Sequence, residues 1–230
     1  MYKLFVSCEH ASNHVPEQLT KLLRDQKSLL QSHRAYDIGA IDAAQQISKM
    51  AVEECVAGTC TRLAIDLNRS DTNPRRFSEY SKKLDSATLA NLEIQWYRPY
   101  RDYVRNRITQ IIESGYNVLH LSVHTFTPVL NGVTRNADLG LLYDPSRQPE
   151  RVIASNLKNT MFKINSNLRT RFNYPYRGVS DGITSWLRKH FSETKYSGLE
   201  IEFNQDILNN RSMWDKCLRD FTTALAQQGE

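Results

Sequence analysis

The chain has 230 residues, of which 40% are hydrophobic and 24% are charged, so it can bury a core and lacks the composition of a disordered chain. Its 30 basic and 25 acidic residues give a formal net charge of +5, spread along most of the sequence. Because the basic residues come with neither interleaved aromatic residues nor a known module, nucleic-acid binding is not expected. The length predicts one domain over residues 1–230.

The cysteines and the N-terminus indicate the cellular compartment in which the protein is expected. The four cysteines are scattered and form no CxxC pair, which does not predict a disulfide scaffold. The first residues lack the long apolar region of a secretory signal. No segment approaches the roughly 18 apolar residues that a membrane span needs. We therefore expect a protein of the reduced cytoplasm without a membrane partner, and the sequence leaves its oligomeric state open.

Short apolar runs alternate with longer segments of helical periodicity. The predicted strands are 4–6, 63–65, 118–123, 139–143 and 199–203. The predicted helices are 38–56, 92–112, 152–172 and 213–226. This alternation predicts an α/β fold with three layers, in which helices cover both faces of a mixed, mostly parallel sheet. Sheets of this kind place binding groups beyond the carboxyl ends of their strands.

Polar side chains collect where four of the predicted strands end. His10 follows the first strand, Asn68 and Arg69 follow the second, His124 follows the third, and Glu202 lies in the last. Two histidines, a carboxylate and an arginine would therefore meet at one edge of the sheet. A hydrolytic zinc site needs about three imidazole or carboxylate ligands, and a separate carboxylate to move protons. An arginine suits a substrate carboxylate because its planar fork binds both oxygens.

The spacing of these residues leaves other interpretations open. A single histidine at a strand end is often only a hydrogen-bonded structural residue. Asp66 could pair with Arg69, and Glu200 could be an ordinary strand carboxylate. No HxxH, HExxH or paired-cysteine spacing is present.

Seven blocks along the chain resemble, in order, the motifs of N-formylglutamate amidohydrolase-like proteins. They cover residues 7–16, 33–40, 62–69, 122–128, 138–144, 173–176 and 202–206. That family is distantly similar to zinc carboxypeptidases, so the resemblance implies a zinc-exopeptidase-like fold. Residues 66–69 are similar to the D-x-N-R loop that holds a substrate carboxylate in those enzymes. Residues 124–126 are similar to their H-S-Y segment, and Glu202 matches their general base.

The resemblance and the positions of the residues together predict roles for nine residues. One zinc ion would be held by His10, Asp37 and His124, and Glu202 would be the general base. The residues expected to bind substrate are Asn68, Arg69, Arg135, Tyr176 and Arg177. Of these, Asn68 and Arg69 would grip an α-carboxylate. The arginines 135 and 177 are candidates for a second carboxylate or for an oxyanion, with ordinary surface residues as the alternative.

The third metal ligand is the open point. Zinc carboxypeptidases have H-x-x-E at this place, whereas here Asn13 stands three residues after His10. The missing carboxylate could come from Glu9 or from Asp37. Adjacent side chains of an extended segment point apart, which disfavours Glu9 beside His10. Asp37 is the preferred ligand, with capping of the following helix as its alternative role.

The implied activity is zinc-dependent hydrolysis of N-formyl-L-glutamate to formate and L-glutamate, with a small anionic N-acyl amino acid as partner. Hydrolysis of another N-acyl amino acid or of a peptide end is the first alternative. A non-catalytic binding module that keeps the fold is the second. It is disfavoured because His10, His124, Glu202 and Arg69 occur together.

Overall fold

The computed structural model describes residues 2–51 and 55–228. Its strands are Tyr2–Cys8 (β1), Val56–Ala57 (β2), Asn117–Phe126 (β3), Val129–Leu130 (β4), Val133–Thr134 (β5), Leu139–Leu142 (β6), Thr170–Phe172 (β7) and Tyr196–Asn204 (β8). Its α-helices are Thr20–Leu23 (α1), Lys27–Leu30 (α2), Ala40–Ser48 (α3), Ser86–Leu92 (α4), Arg98–Glu113 (α5), Gln148–Ile164 (α6), Ile183–Leu187 (α7) and Arg211–Ala226 (α8). Short 3-10 segments lie at Glu17–Leu19, Ser81–Lys83 and Gln205–Asn209, and a π-helical segment, Glu93–Tyr97, joins α4 to α5.

Six of the strands form one mixed sheet in the order β2-β1-β3-β8-β6-β7. The first four are parallel to one another, whereas β6 runs antiparallel to β8 and β7 follows β6 in parallel. The strands β4 and β5 form a separate hairpin. The carboxyl ends of β1, β3 and β8 therefore reach the same edge of the sheet, as the sequence predicts.

Helices cover both faces of the sheet. The apolar residues of one face pack against α3, α6 and α8, and those of the other face pack against α5 and α7. Two long central strands, β3 and β8, are buried along nearly their whole length, which is typical of strands covered on both sides. The predicted three-layer α/β/α arrangement with a mixed, mostly parallel sheet is confirmed. No helix in the described ranges is long and apolar enough to cross a lipid bilayer.

The predicted strand at 63–65 is wrong, because these buried apolar residues form a turn. Leu63, Ala64 and Ile65 are at most 3% exposed. The Ser81 hydroxyl donates to the carbonyls of Leu63 and Ala64, so a side chain satisfies the backbone groups that a neighbouring strand would otherwise bind. A run of three apolar residues indicates burial but does not distinguish a strand from a packed turn.

Three predicted helices have the wrong bounds. The segment predicted at 38–56 becomes helical only at Ala40, after Gly39 in the left-handed region (φ 84°), and the helix ends at Ser48. Val56 instead pairs with Ser7 in the sheet, and residues 52–54 of the prediction lie outside the described residues. The helix predicted at 152–172 covers 148–164, and residues 170–172 form β7. The helix predicted at 92–112 begins earlier, because α4, the π segment and α5 are continuous.

His120 is a buried structural histidine in the centre of the sheet. Its Nε2 lies 2.7 Å from the Ser7 hydroxyl and its Nδ1 lies 2.8 Å from the Tyr196 hydroxyl. Burial lowers the pKa of His120 to about 4. A protonated imidazole would have to donate from both nitrogens inside this closed hydrogen-bonded chain.

His120 is therefore expected to contribute a decrease in the free energy of unfolding as the pH drops from about 6.5 to about 4. Between these values the unfolded chain takes up a proton at His120 that the folded chain does not, which costs about 3 kcal/mol of stability in total. His120→Gln should flatten this part of the stability profile in denaturant titrations, whereas the exposed control His190→Gln should not. An unchanged slope in His120→Gln would contradict the assignment.

Candidate active site and metal centre

A cavity of about 200 Å³ opens at the carboxyl end of the central strands. Its floor is formed by residues of β3 and β8 that face the same side of the sheet, because His124 pairs in register with Glu202 and Ser122 pairs with Glu200. Thirteen residues line the cavity: His10, Asp37, Arg62, Asn68, Arg69, His124, Thr125, Tyr176, Arg177, Ser180, Asp181, Glu200 and Glu202. The volume suits a small molecule of about amino-acid size.

Two histidines and one carboxylate converge at one end of this cavity. Asp37 Oδ2 lies 3.2 Å from His10 Nδ1 and 2.9 Å from His124 Nδ1. One ligand atom from each of the three residues lies within 4.8 Å of the other two, and all three side chains are buried. Asp37 does not cap α3, because the N-cap is Gly39 and no side chain caps that helix.

Glu9 lies behind His124, on the side away from Asp37. Its carboxylate accepts hydrogen bonds from the Tyr100 hydroxyl (2.8 Å) and the Ser122 hydroxyl (2.6 Å), and it lies 3.2 Å from His124 Nε2. With 1% exposure, Glu9 is closed off from the cavity. The Glu9 carboxylate and the Ser122 oxygen both lie next to His124 Nε2 and favour a proton on that nitrogen, which leaves Nδ1 to face Asp37.

Asp66 and Arg62 take the corresponding place behind His10. Asp66 Oδ1 lies 2.7 Å from His10 Nε2. The Arg62 guanidinium donates to Asp37 Oδ1 at 3.2 Å and to Asp66 Oδ2 at 3.1 Å, so it bridges the two carboxylates. Both histidines thus turn Nε2 to an outer carboxylate and Nδ1 to the shared Asp37. This is the arrangement that orients metal-binding imidazoles in proteins.

The buried carboxylates and the cationic side chains around them stabilise one another's charged forms. Burial alone would raise the pKa of Asp37, but the charge and hydrogen bond of His10, with His124 and Arg62, lower it far below its ordinary value. Burial would likewise raise the pKa of Asp66, which His10 and Arg62 lower. Burial alone would lower the pKa of His124, but Asp37 and Glu9 raise it well above its ordinary value. The carboxylates are therefore ionised, as metal ligands and their partners must be.

Glu202 lies beside this group on β8, in register with His124, and is 4% exposed. Burial raises the pKa of Glu202 to about 8, with further contributions from the charges of Asp37 and Glu200. Its Oε2 is the only buried side-chain oxygen of the cavity that finds no hydrogen-bond partner within the described residues. A buried, unsatisfied oxygen of this kind needs a partner from outside the chain.

The expected substrate-binding residues do not all reach the cavity. Arg69, whose side chain is one-third exposed, donates Nη1 to the carbonyl of Asp181 at 2.7 Å. Tyr176 and Arg177 line the rim and are exposed. Arg135 lies behind Tyr176, with its guanidinium over the aromatic ring and Nη2 donating to the Tyr176 hydroxyl at 3.1 Å. Of the five expected residues, Arg135 alone supports the wall without lining it.

The amide of Asn68 is largely committed to holding the wall of the cavity. Its Oδ1 accepts from the backbone N–H of Ile183 at 2.6 Å, and its backbone N–H donates to Asp66. Its Nδ2 lies 3.4 Å from His124 Nε2.

The residues present fit one zinc ion. Two imidazole nitrogens and one carboxylate oxygen are the number and kind of protein ligands in a hydrolytic zinc site with an open position. The outer carboxylates of Glu9 and Asp66 supply the hydrogen bonds that such histidines usually make. The unsatisfied Glu202 oxygen lies on the same side of the sheet, where a general base would be required.

Sequence reasoning overlooked several residues that line the cavity. Arg62 precedes Asp66 by four positions inside a block already matched to the family, and this spacing is the signal that could have indicated it. Glu200 shares the face of Glu202 because side chains two apart on a strand point the same way. Thr125 follows His124 inside another matched block, whereas Ser180 and Asp181 lie in an irregular loop and carry no comparable signal.

Comparison with known proteins shows the family of the chain and relatives of its fold. The sequence profile of the N-formylglutamate amidohydrolase family matches residues 2–209. The structure is similar to that of a gene product from Agrobacterium tumefaciens, with 27% identity, a TM-score of 0.79, and coverage of 100% of this chain and 92% of the other. An N-formylglutamate amidohydrolase from Ralstonia eutropha JMP134 has the same fold, with 16% identity, a TM-score of 0.69, and coverage of 97% and 91%. A search of curated proteins gives no match. Because the family profile spans almost the whole sequence, the chain belongs to the N-formylglutamate amidohydrolase family.

Proposed function

We propose that the protein is a zinc-dependent amidohydrolase that cleaves the amide bond of a small anionic N-acyl amino acid. The proposed substrate is N-formyl-L-glutamate. The observation that carries this proposal is the convergence of His10, Asp37 and His124 beside the unsatisfied carboxylate of Glu202. The arginines of the cavity wall add positive charge where an anionic substrate would enter. Family membership supports the same reaction class.

The zinc ion would be held by His10 Nδ1, His124 Nδ1 and Asp37 Oδ2. A bound zinc ion supplies a Lewis acid that acidifies water and polarises a carbonyl. Glu202 accepts the proton of the attacking water and passes it to the departing nitrogen. The raised pKa of Glu202 suits donation of the proton to the departing nitrogen. A nearby cation would lower this pKa and so favour the ionised carboxylate that accepts the proton from water.

Arg69 is the proposed clamp for the α-carboxylate of the substrate. Its Nη1 is anchored on the Asp181 carbonyl, while its Nη2 makes no hydrogen bond within the described residues and stays available. Arg177, exposed at the rim, is the proposed contact for the second carboxylate of a glutamyl substrate. Asn68 lines the cavity beside Arg69.

The test of the clamp is Arg69→Ala, measured on two substrates. The value of kcat/KM for N-formyl-L-glutamate is expected to fall at least about tenfold, because a charge-assisted hydrogen bond is lost. The matching substrate whose α-carboxylate is a carboxamide should lose much less. An equal loss on both substrates would argue against the clamp.

The activity itself is tested by release of formate and L-glutamate from N-formyl-L-glutamate by the purified protein. Removal of metal with a chelator should abolish turnover, and added zinc should restore it. A panel of other N-acyl amino acids tests the acyl group and the amino acid. Absence of metal uptake after reconstitution would overturn the zinc dependence.

A further inference from the structure

Glu200 is a buried carboxylate of the cavity to which the proposed reaction assigns no task. It is 8% exposed and lines the cavity together with Glu202. Its Oε1 accepts a hydrogen bond from the Thr184 hydroxyl at 2.9 Å. Within residues 2–51 and 55–228, no arginine, lysine or histidine forms an ion pair with it. An acidic group buried without a cationic partner is costly, so a ligand with a hydrogen-bond donor or a positive charge would stabilise it.

The position of Glu200 relative to the metal-binding group is fixed by the sheet. Glu202 pairs with His124, and Glu200 pairs with Ser122, two residues further from the carboxyl end of β3. The two glutamates therefore line the same face, about 7 Å apart along the strand. Glu202 faces the metal-binding end of the cavity, and Glu200 continues the same wall away from it.

Glu200 also lies near Asn68, with Gly182 between the two side chains. A Cβ atom at Gly182 would lie 2.7 Å from Glu200 Oε1 and 3.1 Å from Asn68 Oδ1. The backbone of Gly182 is extended (φ −169°), a conformation that any residue adopts. Glycine is therefore needed here because a side chain would collide with its neighbours, and not because of the backbone conformation. Glu200 thus lies close to Asn68, the neighbour of the proposed clamp Arg69.

The covalent structure of the substrate fixes the distance between the group bound by the clamp and the bond that is cleaved. In an N-acyl amino acid, the scissile nitrogen and the α-carboxylate are attached to the same carbon atom. A group that lies between the carboxylate clamp and the general base is therefore next to that nitrogen. Its N–H is a donor in the substrate, and after cleavage it becomes a positively charged ammonium group.

We propose that Glu200 accepts a hydrogen bond from the scissile N–H and then holds the ammonium group of the released amino acid. This rests on the proposed function. In that reaction the C–N bond breaks, the oxygen of water forms the new C–O bond, and the amine finally takes up the proton that formic acid loses. Glu200 exchanges no proton with the substrate.

The proposal is tested with Glu200→Gln, by calorimetric binding of L-glutamate and of glutarate, which lacks the amino group. The glutamine keeps the size of the side chain and an acceptor for Thr184. The affinity for L-glutamate is expected to fall at least about tenfold, and that for glutarate by less than about twofold. For N-formyl-L-glutamate, kcat should fall more than KM rises, because the interaction strengthens as charge develops on the nitrogen.

Glu193→Gln, an exposed glutamate before β8, is the matched control and should change neither affinity. Gly182→Ala is a second variant, because its methyl group displaces the Glu200 carboxylate and should reduce the same preference for L-glutamate. An equal loss of both ligands in Glu200→Gln, or no loss of either, would overturn the role of Glu200. Failure of the wild-type protein to bind either ligand would instead count against the proposed function.

Discussion

Replacement of Glu202 with glutamine is expected to lower kcat at least about a hundredfold, because general acid–base catalysis contributes about 10²–10⁴-fold to such reactions. Glutamine has nearly the same shape, so the register of β8 against β3 should be preserved. Zinc affinity should stay close to that of the wild-type protein, because Glu202 is not one of the three converging ligands. The measurements are steady-state hydrolysis of N-formyl-L-glutamate and zinc content after dialysis.

Two comparisons make the Glu202 result specific. The exposed Glu193→Gln carries the same chemical change before the same strand and should leave kcat unaltered. Glu200→Gln should lower kcat less than Glu202→Gln, since Glu200 is opposite Ser122 and further from His124. Turnover within about threefold of wild type, with zinc bound, would exclude Glu202 as the general base.

The sequence indicated the location of the site because the fold does most of the positioning. Parallel strands end at one edge, so residues at the ends of β1, β3 and β8 had to meet. His10, His124 and Glu202 follow from this rule with the family motifs. Asp37 could not be placed by this rule, since it comes from the loop before α3, where its backbone N–H donates to the His10 carbonyl at 2.9 Å.

The parts of the site that the sequence did not indicate depend on long-range side-chain packing. Arg62 bridges Asp37 and Asp66 from a buried turn that apolar periodicity misassigned to a strand. Arg135 resembles a binding residue in the sequence, but its guanidinium packs on Tyr176. The Arg62–Asp37 and Arg135–Tyr176 contacts have no local signature, because they join residues 25 and 41 positions apart. Only the tertiary structure shows which arginines face the cavity and which support it.

A pair of isosteric variants tests whether Asp37 or Glu9 is the third zinc ligand. Asp37→Asn is expected to weaken zinc binding more than about a hundredfold and to abolish hydrolysis, because its Oδ2 is the atom that both histidine Nδ1 atoms face. Glu9→Gln leaves the three ligands in place and alters only the partner of His124 Nε2. It should therefore weaken zinc binding by about 10–100-fold, the usual effect of an outer hydrogen-bond partner.

Zinc affinity by chelator competition, read beside circular dichroism, separates these effects from loss of fold. Both carboxylates are buried and hydrogen-bonded, so some loss of stability is expected in each variant. What distinguishes them is the order of zinc affinities at equal folded content. If Glu9→Gln removed zinc binding while Asp37→Asn retained it, Glu9 would be the third ligand. Such a result would require His124 to turn its Nε2 to the metal, against the direction in which Ser122 and Glu9 hold it.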